Sequence, residues 1–471
     1  MKISVKNLGA IKSAEIDLSK KLTVFCGPNG TGKTYLAYLI YAITSIDNKN
    51  IGEKFNVEKV NQLISDNITS LSVSAEELWK FRNLEIKNVR DTLGNIFAIS
   101  DNKAEKYFTK TEIRFSESLE GFKKEYNEKS ISQNISLFGH IFNISKNEGS
   151  DNITVSIIDS KPKSKDLIQV LHLVFLSRVY SILAYHPVVS STIFPVERNS
   201  IYTFNEELSI RNNDRYEMIK ELSSNKHARP IDLLLKRTVR YPLAIRDGLR
   251  VADDLETIQK QNSTYHGFAS ELETELLKGS VSITKEGNVE FTSNKAPRAK
   301  LSFHQSSSIV KTLSSLVIYL KHLASEGDLL IIDEPELNLH PENQIKLARI
   351  FTRLVHNGLR ISISTHSDYI VRELNNLVMV SSLRADESKK ELLANLGYKD
   401  DEYINIEDLN AYSFNFKIRP KVGDEEKNSE VKLIHIDESG FDVKTLDDTI
   451  DQLNNRSEEL YYHLKYANSD E

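Results

Sequence analysis

The hydrophobic pattern near the N terminus predicts three strands, a loop and a helix. Residues 3–5 and 14–18 alternate between apolar and polar side chains, as half-buried strands do. Residues 22–26 form a compact apolar run that is typical of a buried strand. A glycine-rich loop follows, and residues 33–44 then have the apolar spacing of a helix.

Buried strands and helices alternate again between residues 306 and 364. Helical spacing at 306–323 and 341–355 separates two apolar runs, at 329–332 and 360–364. Strands that are apolar on both faces and alternate with helices indicate a parallel sheet covered on both sides. This region therefore predicts an α/β core.

The middle of the chain is more mixed. Residues 52–100 have helical periodicity, whereas 111–115, 142–145 and 153–157 are predicted to be short antiparallel strands. A turn at 147–151 is expected to join the last two of these strands.

Helices and hairpins are predicted for the remainder. Residues 164–186 and 205–277 have helical spacing, and 280–292 are predicted to form a hairpin. The tail from about Asn405 is expected to be a different unit. It is predicted to contain a β-hairpin, with its turn at 424–428, and then a helix.

Composition changes this picture little. The chain has 471 residues and a net charge of −6, which argues against a coat of nucleic acid but not against a local basic groove. Its single cysteine, Cys26, cannot form an internal disulfide and fits a reducing cytosol. The apolar stretch 167–187 contains polar residues such as His172 and Arg178, so it is predicted as a buried helix. Since no targeting signal is visible, we expect a cytoplasmic protein without a membrane partner.

The glycine-rich loop carries the clearest chemistry. It fits the pattern G-x-x-x-x-G-K-[ST], follows an apolar strand and opens a helix, which is the context of a phosphate-binding loop. In such a loop the backbone N–H groups surround the β-phosphate, Lys33 supplies charge to the β and γ oxygens, and Thr34 ligates Mg²⁺. The predicted nucleotide-binding residues are Gly27, Pro28, Asn29, Gly30, Thr31, Gly32, Lys33 and Thr34.

An acidic pair follows the apolar run at 329–332. Ligands of parallel α/β sheets lie at the carboxyl ends of the strands, so Asp333 is predicted to hold Mg²⁺ and Glu334 to act as general base towards water. A purely structural acidic strand cap is the alternative. His366 follows the next buried strand and is predicted to reach the γ-phosphate or to position the water, with a structural histidine as the alternative. The predicted catalytic groups are Glu334, His366 and Lys33.

Three segments together resemble the ABC-type ATPases of the RecF/SMC/OLD group. They are the loop 27–34, the run 333–341 (Asp-Glu-Pro-Glu-Leu-Asn-Leu-His-Pro) and the run 364–367 (Ser-Thr-His-Ser). Within this group the chain is most similar to stand-alone ATPases of bacterial antiphage systems such as PARIS and Septu. Transporter ATPases usually carry an aspartate where this chain has His340, which counts against a transporter subunit.

The resemblance covers residues 1–45 and about 300–380 well and the middle of the chain only loosely. It implies an α/β fold, namely a P-loop NTPase of the ABC-ATPase type with an antiparallel β lobe, an inserted helical region and a small C-terminal α+β extension. The expected divisions are an ATPase core at 1–50 and 295–385, a helical and antiparallel β insertion at 51–160, a helical lobe at 161–294 and the C-terminal extension at 386–471.

The resemblance also places the signature motif of the group at residues 303–308. In the family, serines at this helix start reach the γ-phosphate of a nucleotide held by the opposite subunit, so Ser306, Ser307 and Ser308 are expected to contact nucleotide. The glycines of the family's Leu-Ser-Gly-Gly-Gln form are missing, which leaves the donor open, and a plain helix N-cap is the alternative. A shared site implies a homodimer or higher oligomer that ATP closes and hydrolysis opens.

Residues 194–198 (Phe-Pro-Val-Glu-Arg) resemble the strand-end Pro-Ala-Glu-Arg segment of many of these ATPases. By this resemblance, Glu197 or Arg198 is expected to link the nucleotide state to the helical lobe. A buried ion pair is the alternative interpretation.

A basic segment spans residues 226–250. It is consistent with DNA binding, with an acidic protein partner or with a solvated surface. Its cations are Lys226, Arg229, Lys236, Arg237, Arg240, Arg246 and Arg250, set against Asp232 and Asp247.

The resemblance implies a regulatory ATPase rather than a nuclease. OLD nucleases carry a TOPRIM domain after the ATPase, whereas the acidic residues near Asp424 and Asp437 do not form a convincing metal cluster. We therefore expect an ATP- and Mg²⁺-dependent subunit that oligomerises through its ATPase heads and controls a separate toxin or nuclease effector in antiphage defence. A RecF- or SMC-like ATPase that clamps DNA during repair is the alternative, and it predicts DNA-stimulated, salt-dependent hydrolysis.

Overall fold

The structure is a computed structural model that describes residues 1–45, 57–137, 140–159, 165–204, 241–384, 386–421 and 424–466. Its strands are β1 (Lys2–Leu8), β2 (Ile11–Asp17), β3 (Leu22–Cys26), β4 (Ile68–Ser72), β5 (Glu112–Phe115), β6 (Ile131–Leu137), β7 (His140–Lys146), β8 (Asn152–Ile157), β9 (Ser191–Phe194), β10 (Gly279–Ile283), β11 (Val289–Ser293), β12 (Lys300–Ser302), β13 (Leu329–Asp333), β14 (Arg360–Thr365), β15 (Leu409–Lys421) and β16 (Asp424–Leu433).

Helices lie between these strands. They are α1 (Lys33–Thr44), α2 (Val57–Asp66), α3 (Ala75–Asp91), α4 (Leu93–Ile96), α5 (Asp101–Phe108), α6 (Leu119–Glu128), α7 (Lys165–Tyr185), α8 (Arg198–Thr203), α9 (Leu243–Asp253), α10 (Leu255–Ile258), α11 (His266–Leu272), α12 (Ser308–His322), α13 (Pro341–His356), α14 (Asp368–Leu383), α15 (Lys390–Asn395) and α16 (Lys444–Tyr466). A π-helical turn at Glu273–Leu277 extends α11, and a 3₁₀ turn at Phe303–Gln305 precedes α12.

A nine-stranded sheet forms the centre of the fold, in the order β5-β1-β2-β16-β15-β3-β14-β13-β9. The five strands from β15 to β9 are parallel. Every residue of β3, β13 and β14 is buried, because helices cover both faces of the sheet. Side chains alternate between the two cores: Phe25 packs in one, while Val24 and Cys26 pack in the other. The fold is thus an α/β fold with a parallel sheet core, and the predicted β3, α1, β13 and β14 are confirmed.

The insertion after α1 differs from the prediction in three places. The predicted helical region 52–100 contains the strand β4, because the alternating Ile-Thr-Ser-Leu-Ser sequence pairs with β8. The predicted strand at 111–115 corresponds to β5, which pairs with β1 in the central sheet and not with the other short strands. The predicted strands at 142–145 and 153–157 correspond to β7 and β8, with the predicted turn between them. Together with β4 and with β6, a strand that was not predicted, they form a separate antiparallel sheet in the order β4-β8-β7-β6.

Within residues 161–294, which were predicted to form a helical lobe, Ser191–Phe194 instead form β9, an edge strand of the central sheet. Helix α7 and the hairpin of β10 and β11 are confirmed, and β12 adds a third strand to that hairpin. Residues 205–240 of the predicted helical segment lie outside the described residues. Each helix in the described ranges is too short or too polar to cross a lipid bilayer.

The tail contributes strands to the central sheet and is not separate from the core. β15 pairs in parallel with β3, from Leu409 opposite Leu22 to Ser413 opposite Cys26. β16 returns beside β15 and contacts β2. The turn predicted at 424–428 is wrong, because these residues belong to β16. The partner strands β3 and β2 lie near the opposite end of the chain, so the local pattern of the hairpin does not reveal them.

Candidate active site

The glycine-rich loop joins β3 to α1 and has little room for side chains. Gly27 has φ 144° and Gly32 has φ 97°, conformations that favour glycine. A Cβ on Gly27 would lie 2.2 Å from the carbonyl oxygen of Phe414 in β15. A Cβ on Gly32 would lie 2.7 Å from Cγ1 of Ile11. The tail and β2 therefore hold the loop closely from outside.

Lys33 lies inside this loop and is buried. Its Nζ donates to the carbonyl oxygens of Gly27 at 2.8 Å and Pro28 at 2.9 Å. The hydroxyl of Thr31 also donates to the Pro28 oxygen, at 2.8 Å. Burial lowers the pKa of Lys33, and the negative charge of Asp333 opposes that shift. The loop thus holds the Lys33 ammonium group on its own backbone carbonyls.

The structure brings the two predicted magnesium ligands together. The Thr34 hydroxyl donates to Oδ2 of Asp333 at 2.7 Å, although the residues lie on different elements. Asp333 is 0% exposed, and its Oδ1 accepts from the hydroxyl of Ser364. Ser364 is opposite Asp333 in the parallel register of β13 and β14. A hydroxyl and a carboxylate are hard oxygen donors that fit Mg²⁺.

Glu334 stands at the turn after β13. Its φ of 50° is unusual for a residue with a side chain, and its N–H donates to the Ser364 carbonyl at 2.9 Å. Partial burial raises the pKa of the Glu334 carboxyl, and the nearby Asp333 adds to this shift. A carboxylate with a raised pKa is a better proton acceptor, as a general base requires.

His366 lies next to that carboxylate. Its Nε2 is 3.6 Å from Oε1 of Glu334. Burial, with a contribution from Lys33, lowers the pKa of His366 to about 4, so the ring is neutral near pH 7. The contact is therefore a polar one and not an ion pair. The structure places His366 beside the predicted general base.

Glu336 positions this histidine, a role that the sequence did not suggest. Its Oε1 accepts from the His366 N–H at 2.6 Å and from the Thr365 hydroxyl at 2.9 Å. Burial raises the pKa of Glu336, and these two donors oppose the shift. The sequence does show a further carboxylate, that of Glu336, two residues after Glu334, and this was the available sign of its role.

Arg198 contacts the backbone of the acidic strand end. Its guanidinium donates to the carbonyl oxygens of Asp333 and Glu334, each at 2.7 Å, and to that of Pro195 at 3.1 Å. The residue is 3% exposed, and burial lowers its pKa to about 10, so it remains charged at pH 7. These contacts are with backbone carbonyls, which differs from the ion pair considered above. Glu197, in contrast, is exposed.

A cavity of about 520 Å³ lies beside Arg198, between β9, α9 and α12. Tyr41 of α1 also lines it, and the Tyr41 hydroxyl donates to Oδ2 of Asp247 in α9 at 2.8 Å. Helix α1 begins at the phosphate loop, whereas α9 belongs to the helical lobe. The cavity therefore lies between the helix that follows the glycine-rich loop and that lobe.

The three serines of the expected signature motif have different environments. Ser306 is buried, and its hydroxyl donates to the carbonyl of Ser302 in its own chain at 3.1 Å. Ser307 is the N-cap of α12 without a side-chain capping bond, and Ser308 is the first helical residue. Both are exposed. Ser307 and Ser308 are thus the ones that face outward.

Most of the basic segment, including Lys226, Arg229, Lys236, Arg237 and Arg240, lies outside the described residues. The two described arginines make contacts within the chain. The Arg246 guanidinium donates to the Asn95 carbonyl at 3.3 Å, and Arg250 pairs with Asp247 at 2.7 Å.

Comparison with known proteins gives a family match and distant structural likenesses. Residues 1–371 match the family model described as AAA ATPase domain. No curated protein matches the sequence. An SMC head domain from Thermotoga maritima is 10% identical, with 92% of this chain and 98% of that chain covered and a TM-score of 0.31. An Smc head bound to the C-terminal winged-helix domain of ScpA is also 10% identical, with coverage of 93% and 98% and a TM-score of 0.35. The Smc head with an extended coiled coil bound to the C-terminal domain of ScpA, derived from Pyrococcus furiosus, is 11% identical, with coverage of 97% and 98% and a TM-score of 0.33.

Proposed function

Because the chain belongs to the family described as AAA ATPase domain, we propose that it hydrolyses ATP at the site between β3, β13 and β14. The observation that carries this proposal is the 2.7 Å hydrogen bond between Thr34 and Asp333. It joins the phosphate loop to the acidic strand end, where His366 lies 3.6 Å from Glu334 and the charge of Lys33 acts on both side chains.

Each residue has a role that follows from its contacts. The loop 27–34 binds the phosphates through its N–H groups, with the charge of Lys33 beside them. Thr34 and Asp333 would hold Mg²⁺, which when bound neutralises charge on the phosphate oxygens. Glu334 accepts a proton from the attacking water, and the neutral His366 orients the water or a phosphate oxygen by hydrogen bonding.

We further propose that the ATPase acts as an oligomer, with each site completed by a second copy. Ser307 and Ser308 support this, since they are exposed at the start of α12, where N–H and hydroxyl donors suit an anion. Arg198 would transmit the closure to the helical lobe, because it binds the acidic strand end and lines the cavity next to α9.

The proposed role of this oligomer is to control a separate toxin or nuclease effector in antiphage defence. The resemblance to stand-alone antiphage ATPases supports this role. The exposed helix α16 supports a protein partner, since Leu453, Leu460 and Leu464 are 56%, 71% and 81% exposed.

The experiment compares two tagged variants purified from the native host with ATP and Mg²⁺. Glu334→Gln should retain ATP and trap the closed state, whereas Lys33→Ala should not bind ATP and serves as the control. A stoichiometric small nuclease or toxin with Glu334→Gln, and less of it with Lys33→Ala, supports effector control. Nuclease-sensitive DNA without a protein partner would instead identify a DNA-clamping repair ATPase.

A further inference from the structure

The hairpin of β15 and β16 extends past the strand that it flanks. β15 pairs with β3 as far as Ser413 opposite Cys26, where β3 ends and the phosphate loop begins. β15 itself continues to Lys421, paired with β16 throughout. On the side of β15 opposite β16, Phe414 and Phe416 therefore lie beside the phosphate loop and not beside β3.

Two phenylalanines in this extension face the loop. Phe414 is buried, its ring packs edge-on against Phe25 at 5.7 Å, and its carbonyl lies against Gly27. Phe416 lies two residues further on, on the same side of the strand. The ring atom Cζ of Phe416 lies 3.8 Å from the position that a Cβ on Gly30 would occupy. Phe414 thus anchors the extension, while Phe416 reaches the outer part of the loop.

The exposure of Phe416 distinguishes it from a core residue. It is 40% exposed, although aromatic rings of its size are usually buried within a fold. An exposed ring beside a loop that binds phosphates offers a flat apolar surface to the remainder of a nucleotide. Bases stack on such rings with little regard to their identity, because every base has a π-face.

We propose that Phe416 is the platform on which the base of the bound nucleotide stacks. This inference rests on the proposed function, since it assigns the base-binding part of the same site. Stacking on Phe416 discriminates by the size of the base and not by its hydrogen-bonding edge. The site should therefore bind purine nucleoside triphosphates more tightly than pyrimidine nucleoside triphosphates. It should differ little in its affinity for ATP and GTP.

The test measures dissociation constants by calorimetry for ATP and for inorganic tripolyphosphate, which has no base. In Phe416→Ala we expect ATP to bind about tenfold more weakly, with tripolyphosphate unchanged. Phe416→Trp should retain ATP affinity. Leu433→Ala is the matched control, because Leu433 is a 60% exposed apolar residue of the same hairpin and should have no effect.

A fluorescence measurement guards against a folding defect in Phe416→Ala. Addition of ATP, but not of tripolyphosphate, should quench the additional tryptophan emission of Phe416→Trp, with the wild-type chain and its single Trp79 as baseline. If wild-type protein binds ATP and Phe416→Ala binds it equally well, the platform is excluded and the proposed ATPase stands. Equal weakening of ATP and tripolyphosphate in Phe416→Ala would also exclude it. If wild-type protein binds neither ligand, the proposed function itself is wrong.

Discussion

Two arginines are buried to a similar degree in two regions of this molecule. Arg198 lies behind the acidic strand end and is 3% exposed, and Arg82 lies on α3 in the inserted region and is 1% exposed. Burial lowers the pKa of both guanidinium groups, because each has lost its contact with water. The cost of burying a charge is therefore common to both, but the compensation differs.

The charge of Arg198 is compensated by backbone carbonyl groups, and that of Arg82 by a carboxylate and two aromatic rings. Both Nη atoms of Arg198 donate to carbonyls at the strand end. Arg82 donates from Nη1 to Glu117 at 3.0 Å, and its guanidinium lies 3.8 Å from the centre of the Phe115 ring and 4.7 Å from that of Phe122. Glu117 also accepts from the N–H of Lys2.

The comparison shows that a buried cation can either position a reactive side chain or stabilise the packing between elements of the fold. The Arg198 contacts end on the backbone of Glu334, whose carboxylate is the proposed base. The Arg82 contacts connect α3 to β5, α6 and the start of β1, remote in sequence from the motifs of the site. We therefore expect changes around Arg198 to alter hydrolysis and changes around Arg82 to alter stability.

The largest effect should come from Glu334→Gln. An amide cannot accept the proton of water, so ATP hydrolysis should fall about 10²- to 10⁴-fold, as measured by phosphate release. ATP binding and the melting temperature should change little. Glu342→Gln, at the exposed start of α13, is the control and should hydrolyse ATP normally. Unchanged turnover in Glu334→Gln would remove the proposed base.

Arg82→Ala should produce the largest loss of stability. It removes a buried guanidinium from Glu117, which keeps the N-terminal ammonium group at 3.4 Å, and from the Phe115 and Phe122 rings, and should reduce the free energy of unfolding by about 3 kcal/mol in urea denaturation. Turnover per folded molecule should be retained. Arg114→Ala, an exposed arginine on β5, should cost less than about 0.5 kcal/mol. A similar small loss for both variants would show that Arg82 does not fasten this region.

Arg198→Lys should lower the rate of ATP hydrolysis more than it lowers stability, the reverse of Arg82→Ala. An ammonium group cannot reproduce the two-pronged contact with the Asp333 and Glu334 carbonyls, so the general base is displaced. We expect kcat to fall about 10²-fold while the affinity for ATP is retained. Arg250→Lys, whose arginine side chain is 43% exposed, should leave kcat unchanged. An effect on stability alone would place Arg198 in the same class as Arg82.

The smallest effect concerns the acid side of the pH profile. Glu334 must be ionised to accept a proton, and its pKa is raised above the ordinary value of 4.5. Hydrolysis should therefore decline as the pH falls through a value above 4.5. His366, with a pKa of about 4, stays neutral across that range, so His366→Asn should lower turnover without moving the acid limb. An acid limb at or below 4.5 would contradict the raised pKa of Glu334.

The sequence determined the parts of this protein whose chemistry is contiguous. The loop 27–34 and the pair Asp333–Glu334 each need only a strand, a few residues and a turn or helix, and all of these are local in sequence. The α/β pattern of β3, β13 and β14 was likewise readable, because strands buried on both faces are apolar throughout.

Only the tertiary structure decided which distant segments complete the site. The sequence placed the tail in a separate unit, whereas β15 lies against β3 and carries Phe416 to the phosphate loop. It left the role of Arg198 open, and the structure shows its guanidinium on the strand-end carbonyls. The physical reason is the same in both cases. Backbone pairing and carbonyl contacts do not depend on the identity of the partner side chain, so neither leaves a local signature along the chain.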